Sequence, residues 1–329
     1  MFWETTAACN LRCAHCRIET SEEASGEELS FDQACALLKD IASFARPVIV
    51  LSGGEPLVRR DIVDIARFGS DMGLRMALAT NGTLVTSEIA RDLKDAGVTQ
   101  ASVSLDGADA QVHDSFRRVS GSFDAALNGI RTLRECGIAV QVNTTVARHN
   151  LGRLQDVLAL AVSQGASALH LFLLVPTGCG REMEEQDMIT PQEYEDVLTW
   201  LHEVSREAAI FVRATCAPHY QRIIRQRGEK PSTAGCLAGE SVCFVSRTGD
   251  VYPCGYLPLK AGNVLEEPLS LIWEQSELLK SVRDPKLLKG KCGACEFAAV
   301  CGGCRARAYA ATGDYLADEP CCIYVPRRA

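Results

Sequence analysis

Three cysteines, Cys9, Cys13 and Cys16, stand at the spacing C-x3-C-x2-C within ETTAACNLRCAHCR. This run constrains the chain more than any other stretch, because one short loop can wrap three sulfurs around a single metal centre. Thiolates are soft ligands that select iron–sulfur clusters, Zn or Cu(I). A four-iron cluster takes four cysteines, so three from one loop leave one iron open. Open coordination is how a metal site does chemistry instead of only holding structure. Structural zinc is the alternative, although zinc sites commonly arrive as C-x2-C pairs.

The 329 residues have room for one large domain and a smaller one. A net charge of −8 argues against a nucleic-acid binder held by phosphate contacts. No stretch approaches the ~20 apolar residues that a membrane helix needs, and no signal peptide is apparent at the start of the chain. The expected location is therefore cytoplasmic, with no membrane and no nucleic acid among the partners. There, 16 cysteines point to metal sites before disulfides.

From residue 1 to about 208, short β-rich runs alternate with amphipathic stretches, the pattern of repeated βα units on a parallel sheet. Strands are predicted at 2–6, 47–51, 74–79, 100–105, 138–145 and 168–174, and helices at 31–44, 61–71, 86–96, 122–135, 150–163 and 191–208. VIVLS (48–52) reads as a strand buried on both faces. Six repeats suggest a partial barrel, whose functional groups sit at the C-terminal strand ends. The cysteine loop and Gly53-Gly54-Glu55-Pro56 both fall there. The two glycines permit positive φ and close backbone approach to a ligand. Ser102, Ser104 and Asp106 alternate along one strand face. A short strand, IFVRATC, leads into APHYQR, and residues 221–234 look like a connector.

Cys9-x3-Cys13-x2-Cys16 followed by Gly53-Gly54-Glu55-Pro56 resembles the signature of radical S-adenosylmethionine (SAM) enzymes. The resemblance implies an α/β fold with a partial (βα)6 TIM-like barrel. It also implies that the three thiolates hold a [4Fe–4S] cluster whose open iron chelates SAM, and that reduction splits SAM into methionine and a hydrogen-abstracting 5′-deoxyadenosyl radical. Glu55 would accept from the SAM ammonium. Asn81, Ser102, Ser104, Asp106 and Asn143 would face its ribose and methionine, Arg117 or Arg118 its carboxylate, and Val175 with Leu174 its adenine. His15 stands where the family usually has an aromatic residue.

The last 95 or so residues hold Cys236, Cys243 and Cys254, then Cys292-x2-Cys295-x5-Cys301-x2-Cys304, then Cys321 and Cys322. Few strands or helices are apparent, so metal coordination must supply folding energy that a small core cannot. This half resembles the SPASM extension of radical SAM enzymes, which carries auxiliary [4Fe–4S] clusters. By that resemblance Cys292, Cys295, Cys301 and one of Cys321 or Cys322 hold one cluster, and Cys236, Cys243, Cys254 and Cys304 hold a second. The family spaces the last pair C-x3-C where this chain has C-x2-C. The domains expected are a radical SAM barrel at 1–208, a connector at 209–235 and a SPASM domain at 236–329. Zinc held through the C-x2-C pairs is the alternative.

The phrases FLLVPTG, RATCAPHY, GCLAG, GDVYPCGYL and CGGCRARAYAATGDYLADEPCC resemble the haem-forming members of the radical SAM family. This implies a tetrapyrrole substrate and oxidative decarboxylation of two propionates of iron-coproporphyrin III to vinyls, giving haem b. Synthesis of a haem d1 precursor and removal of sirohaem side chains are the alternatives. The surplus electron of each decarboxylation would go to an auxiliary cluster, and a flavodoxin or ferredoxin would supply the reducing electron. Arginine forks bind carboxylates bidentately, so Arg181, Arg213, Arg305 and Arg307 are the candidates for the porphyrin carboxylates. His219 or His170 would approach the iron, and Tyr309 and Tyr315 would edge the macrocycle. The rivals are a SPASM peptide maturase, which usually has a docking module ahead of its first strand, and a non-catalytic electron carrier.

Overall fold

Strand alternation sorts the sheet into two unlike faces. The computed structural model describes residues 1–18, 20, 27–183, 187–231 and 235–327, so residues 232–234 of the expected connector lie outside it. Strands β1 (Phe2–Glu4), β2 (Val48–Ser52), β3 (Arg75–Thr80), β4 (Gln100–Ser104), β5 (Ala139–Val146), β6 (Ala168–Leu173) and β7 (Phe211–Thr215) lie side by side in chain order, all parallel. One face carries Ile49, Leu51, Met76, Leu78, Val103, Val142, Leu169 and Leu171, all buried in one core. The other carries half-buried Ser52, Ser102, Ser104, Asn143, Thr145, His170, Phe172, Arg213 and Thr215. VIVLS is thus not sealed on both sides, since Val48, Val50 and Ser52 face the lumen and stay half-buried.

Helices α1 (Phe31–Phe44), α2 (Ile62–Asp71), α3 (Ser87–Asp95), α4 (Ala110–Arg117), α5 (Ser122–Glu135), α6 (Leu154–Ser163) and α7 (Pro191–Val204) bring apolar residues to the same core. Helix α1 shows why these stretches are helical. Ser30 caps Gln33 N–H and Gln33 caps back, and Ala34, Leu37, Leu38 and Ile41 share one buried stripe. Pro191 and the Thr190–Glu193 capping box start α7 in the same way. Each fully buried leucine or isoleucine contributes about 1.5–3 kcal/mol.

The barrel does not close: β7 ends the sheet on one side, while β1 continues into strands from the C-terminal half. These are β8 (Phe244–Val245), parallel to β1, then β9 (Asp250–Tyr252) and β10 (Gly262–Asn263), both antiparallel. Strands of two or three residues are too short to show a period of two, so they were not legible in the sequence. The segment 211–215, read only as a short strand before the connector, is the seventh parallel strand. Beyond β7 lie α8 (His219–Gln226), α9 (Leu269–Gln275), α10 (Glu277–Arg283), α11 (Gly290–Ala294) and α12 (Arg305–Thr312). Among the described residues no helix is long and apolar enough to cross a membrane.

Candidate active site and cysteine clusters

The cysteine loop leaves the end of β1 and is held by the turn after β2. Gly54 N–H donates to Thr6 O at 2.8 Å, and Glu55 N–H to Ala8 O at 2.8 Å. A Cβ on Gly53 (φ 155°) would sit 2.4 Å from Thr6 O, and one on Gly54 2.4 Å from Ala8 O. The close approach that demands these glycines is therefore made by the cysteine loop's own backbone.

Glu55 differs from its expected role. Its carboxylate is fully buried and accepts from Thr80 Oγ1 (2.8 Å), Asn81 N–H (2.7 Å) and Leu57 N–H (3.1 Å), tying β2 to β3 instead of facing the lumen. Burial pushes this carboxyl up to about 7, against those three donors. Pro56, itself buried, opens the turn Pro56–Val58. Asn81 also points to the protein, donating to Asn10 Oδ1 at 2.8 Å beside Cys9.

The loop is pinned from three further sides. Ala14 N–H donates to Phe116 O at 3.0 Å, and Cys179 N–H to Cys16 O at 2.9 Å. A Cβ on Gly178 (φ 56°) would meet the Arg17 carbonyl at 2.3 Å. Arg17 reaches Glu4 at 2.7 Å, with its guanidinium 4.3 Å from the Phe244 ring centre. His15 is stacked on Phe116 with centroids 4.2 Å apart, and Phe116 on His149 at 3.8 Å. The thiols have sulfur-directed donors: Leu11 N–H lies 3.4 Å from Cys9 Sγ and Arg117 Nη1 3.5 Å from Cys13 Sγ. Burial pushes the Cys9 thiol up to about 12, with Cys13 and Cys16 adding to the rise.

Asp106 and Arg117 form a closed pair, which corrects both assignments. Asp106 lies past the end of β4, fully buried, accepting from Thr145 N–H at 2.7 Å and 2.5 Å from Arg117 Nη2. Burial pushes the carboxyl up, but Arg117 outweighs it and the group falls to about 2. With its guanidinium shared between Asp106 and Cys13, Arg117 is not free for a ligand carboxylate, and Asp106 does not share the lumen face of Ser102 and Ser104. Those two serines and Asn143 do line the lumen. Strand pairing aligns Ser104, Asn143, His170 and Arg213 across β4 to β7. Burial, then Arg213, pushes the His170 imidazole down to about 4. Val175, buried past the end of β6, clusters with Leu257, Cys304 and Ala306.

The cysteines of the C-terminal half separate into two groups: one keeps the expected company of Cys292, Cys295, Cys301 and Cys322, and the other has Cys216 where Cys243 was expected. Cys216, Cys254 and Cys304 pack into one small apolar cluster, and Cys236 is close enough for its charge to push each of these three thiols up. Cys292, Cys295, Cys301 and Cys322 line one small cavity of about 20 Å³. Cys243 belongs to neither: it sits in the barrel core, its carbonyl accepting from Phe2 N–H. Cys321 is also in that core, so of the adjacent pair Cys322 faces the cavity. Cys216 stands outside both expected ligand sets. Its left-handed backbone (φ 56°), rare outside glycine, carries it to the group from the turn after β7.

Three of the candidate substrate residues are committed elsewhere. Arg307, 1% exposed, is 3.4 Å from Glu319 and donates to Cys216 O (2.7 Å), Tyr194 Oη (3.2 Å) and Leu174 O (3.4 Å). Arg305, also buried, donates to the carbonyls of Tyr315 (2.8 Å) and Ala317 (2.9 Å). Each is a brace inside the cysteine-rich half, because its donors are taken by buried acceptors. His219 lines the cavity of Cys292 and stands edge-on to Tyr194, away from the lumen row. Arg181 is exposed in the turn Gly178–Arg181, beside the cysteine loop, and Arg213 faces the lumen. Tyr315 Oη is bonded to Ser281 Oγ at 2.7 Å.

Among the described residues no three Cys, His, Asp or Glu side chains converge tightly enough for one metal ion. Zinc holds thiolates at about 2.3 Å, whereas a four-iron cluster spreads them farther apart. Bound metal would deprotonate thiols that burial alone keeps protonated.

Open parallel barrel, three-cysteine loop at the strand C-termini and paired cysteine groups beyond define a radical SAM enzyme carrying a SPASM domain. The model of the Radical SAM superfamily matches residues 3–161, and that of SPASM, an iron–sulfur cluster-binding domain, residues 236–296. The AdoMet-dependent heme synthase of Methanosarcina barkeri is 50% identical, over 98% of this chain and 96% of its own. An Fe-coproporphyrin III synthase of the same organism and the pre-heme d1 synthase of Dinoroseobacter shibae are each 32% identical, over 97% and 98% of this chain and 86% and 85% of theirs. Among solved structures, SuiB of Streptococcus suis bound to its precursor peptide SuiA shares the fold with a TM-score of 0.78. It is 15% identical, over 98% of this chain and 75% of its own. The chain belongs to the radical SAM haem synthase family, with a SAM-binding [4Fe–4S] cluster, SAM and auxiliary iron–sulfur clusters as cofactors.

Proposed function

We propose that this enzyme converts two propionates of iron-coproporphyrin III to vinyl groups, giving haem b. The observation that carries the reading is the 50% identity to a haem synthase along nearly the whole chain, against 32% to relatives named for other tetrapyrroles. Cys9, Cys13 and Cys16 hold the catalytic cluster, with the lumen serines, Asn143 and Val175 around SAM. When bound, cluster and SAM supply the radical that removes a hydrogen atom from the β-carbon of a propionate.

The chain's own contribution is to hold the macrocycle, keep its carboxylates apart and receive what the reaction releases. The sheet does not close on itself, and its end at β7 leaves the lumen open on one side for a flat, wide substrate. Arg213 faces that lumen beside a neutral His170, with no carboxylate partner among the described residues. It supplies the fork for a propionate. Loss of CO2 after hydrogen removal leaves one electron per vinyl formed. The Cys216 group, beside Val175 at the end of β6, holds its acceptor. A flavodoxin or ferredoxin delivers the reducing electron.

Anaerobic incubation with iron-coproporphyrin III, SAM and dithionite, followed by mass spectrometry, should show two successive losses of the elements of formic acid. Unchanged substrate alongside conversion of didecarboxysirohaem would move the enzyme to the haem d1 branch. Arg213→Ala should raise KM for the porphyrin by about tenfold or more, the scale of one charge-assisted hydrogen bond, while uncoupled SAM cleavage persists. An unchanged KM would remove Arg213 from the substrate site.

A further inference from the structure

Helix α8 brings His219 to the wall of the cavity that holds Cys292, Cys295, Cys301 and Cys322. The residue is 1% exposed, and neither ring nitrogen has a hydrogen-bond partner. Tyr194 fixes the ring edge-on, with centroids 4.9 Å apart at 88°. An imidazole carries at least one N–H, and burying a donor with no acceptor carries the full desolvation penalty.

The charged side chains around it are already engaged. Arg222 pairs with Glu195, Lys291 donates to Cys322 O at 2.6 Å, and Glu319 pairs with Arg307 and accepts from Cys304 N–H at 2.6 Å. What fills the cavity must therefore bring an acceptor to His219. The four thiols around it call for a cluster whose sulfurs are acceptors. Two bonds of that type are prepared, from Phe297 N–H to Cys295 Sγ and from Glu319 N–H to Cys292 Sγ, each at 3.4 Å.

We propose that His219 donates a hydrogen bond to a sulfur of the cluster held by Cys292, Cys295, Cys301 and Cys322, and so raises the reduction potential of that centre. This rests on the auxiliary-cluster reading above. The reduced cluster carries one more negative charge, so a donor aimed at its sulfur stabilises the reduced form more than the oxidised one. The second auxiliary centre thereby becomes a better electron sink without any change of ligand.

The test is an EPR-monitored redox titration of the anaerobically reconstituted full chain, with iron content measured alongside. In His219→Leu one midpoint potential should fall by about 59 mV, a tenfold change for a one-electron couple, with iron content unchanged. His219→Gln keeps an N–H and should recover most of the shift. Coincident midpoints in wild type and His219→Leu would overturn the proposal. So would an equal fall in both variants, which would mark a packing role, or loss of a cluster's iron from His219→Leu, which would make the histidine a ligand. Cys301→Ala, run in parallel, should abolish the signal that moves. If it abolishes none, the cluster reading itself has failed; a signal abolished there but unmoved in His219→Leu sinks only the hydrogen bond.

Discussion

Cys13→Ala should reduce 5′-deoxyadenosine formation to the level of an enzyme-free control and remove one cluster's iron from the chain. The effect is total because the three thiolates come from one loop and no other cysteine in this half stands ready to replace Cys13. Cys179, whose N–H donates to Cys16 O, has its own sulfur directed at Ile18 O, 3.8 Å away. The measurement is anaerobic reconstitution, iron analysis and chromatography of SAM products. The same assay separates the cysteines of the C-terminal half. Cys216→Ser should cost iron, whereas Cys243→Ser, in the barrel core, should leave the iron count at the wild-type value. The reverse result would return Cys243 to the ligand set and sink the grouping described above.

The second large effect is expected at Glu319. Its carboxylate is fully buried against Arg307, itself 1% exposed, and it also accepts from Cys304 N–H at 2.6 Å and Cys321 N–H at 3.1 Å. Burial pushes this carboxyl up, but Arg307 and His219 pull it below the usual carboxylate range. Glu319→Ala leaves a buried guanidinium without its counter-charge, which costs about 3–5 kcal/mol. It also frees the amide that orients Cys304. Anaerobic urea unfolding should show that loss, accompanied by release of iron from the Cys216 group. A midpoint within experimental error of wild type would mean that water replaces the carboxylate. The pH dependence follows the same sign. A carboxyl with a depressed folded pKa stabilises fully above its unfolded value, and that stability is lost as pH falls through the folded one.

These two sites differ in how far they could be read from the chain alone. The cysteine loop was legible because its three cysteines lie within eight residues and their spacing excludes most alternatives. Glu319 was not. In LADEPCC it looks like an acidic turn that solvent would cover, and nothing local says that Arg307 and Cys304 come back to meet it. Arg305 and Arg307 misled for the same reason. Their motif suggested cations offered to a substrate, whereas helix α12 buries both against backbone carbonyls. Gly53 and Gly54 were recognised as a close-approach turn, but what approaches is the backbone of Thr6 and Ala8.

The alternation of strands and helices through β6, the place of the three-cysteine loop and the cysteine richness of the second half were all determined by sequence. Each is written in local periodicity or short-range spacing, which a parallel barrel preserves. Only the tertiary structure decided which thiol joins which group. All cysteines carry the same chemistry, and Cys216 and Cys322 are selected over Cys243 and Cys321 by where the chain returns, not by what flanks them. The same holds for the buried charges, since a guanidinium or carboxylate takes its role from the partner that folding places beside it.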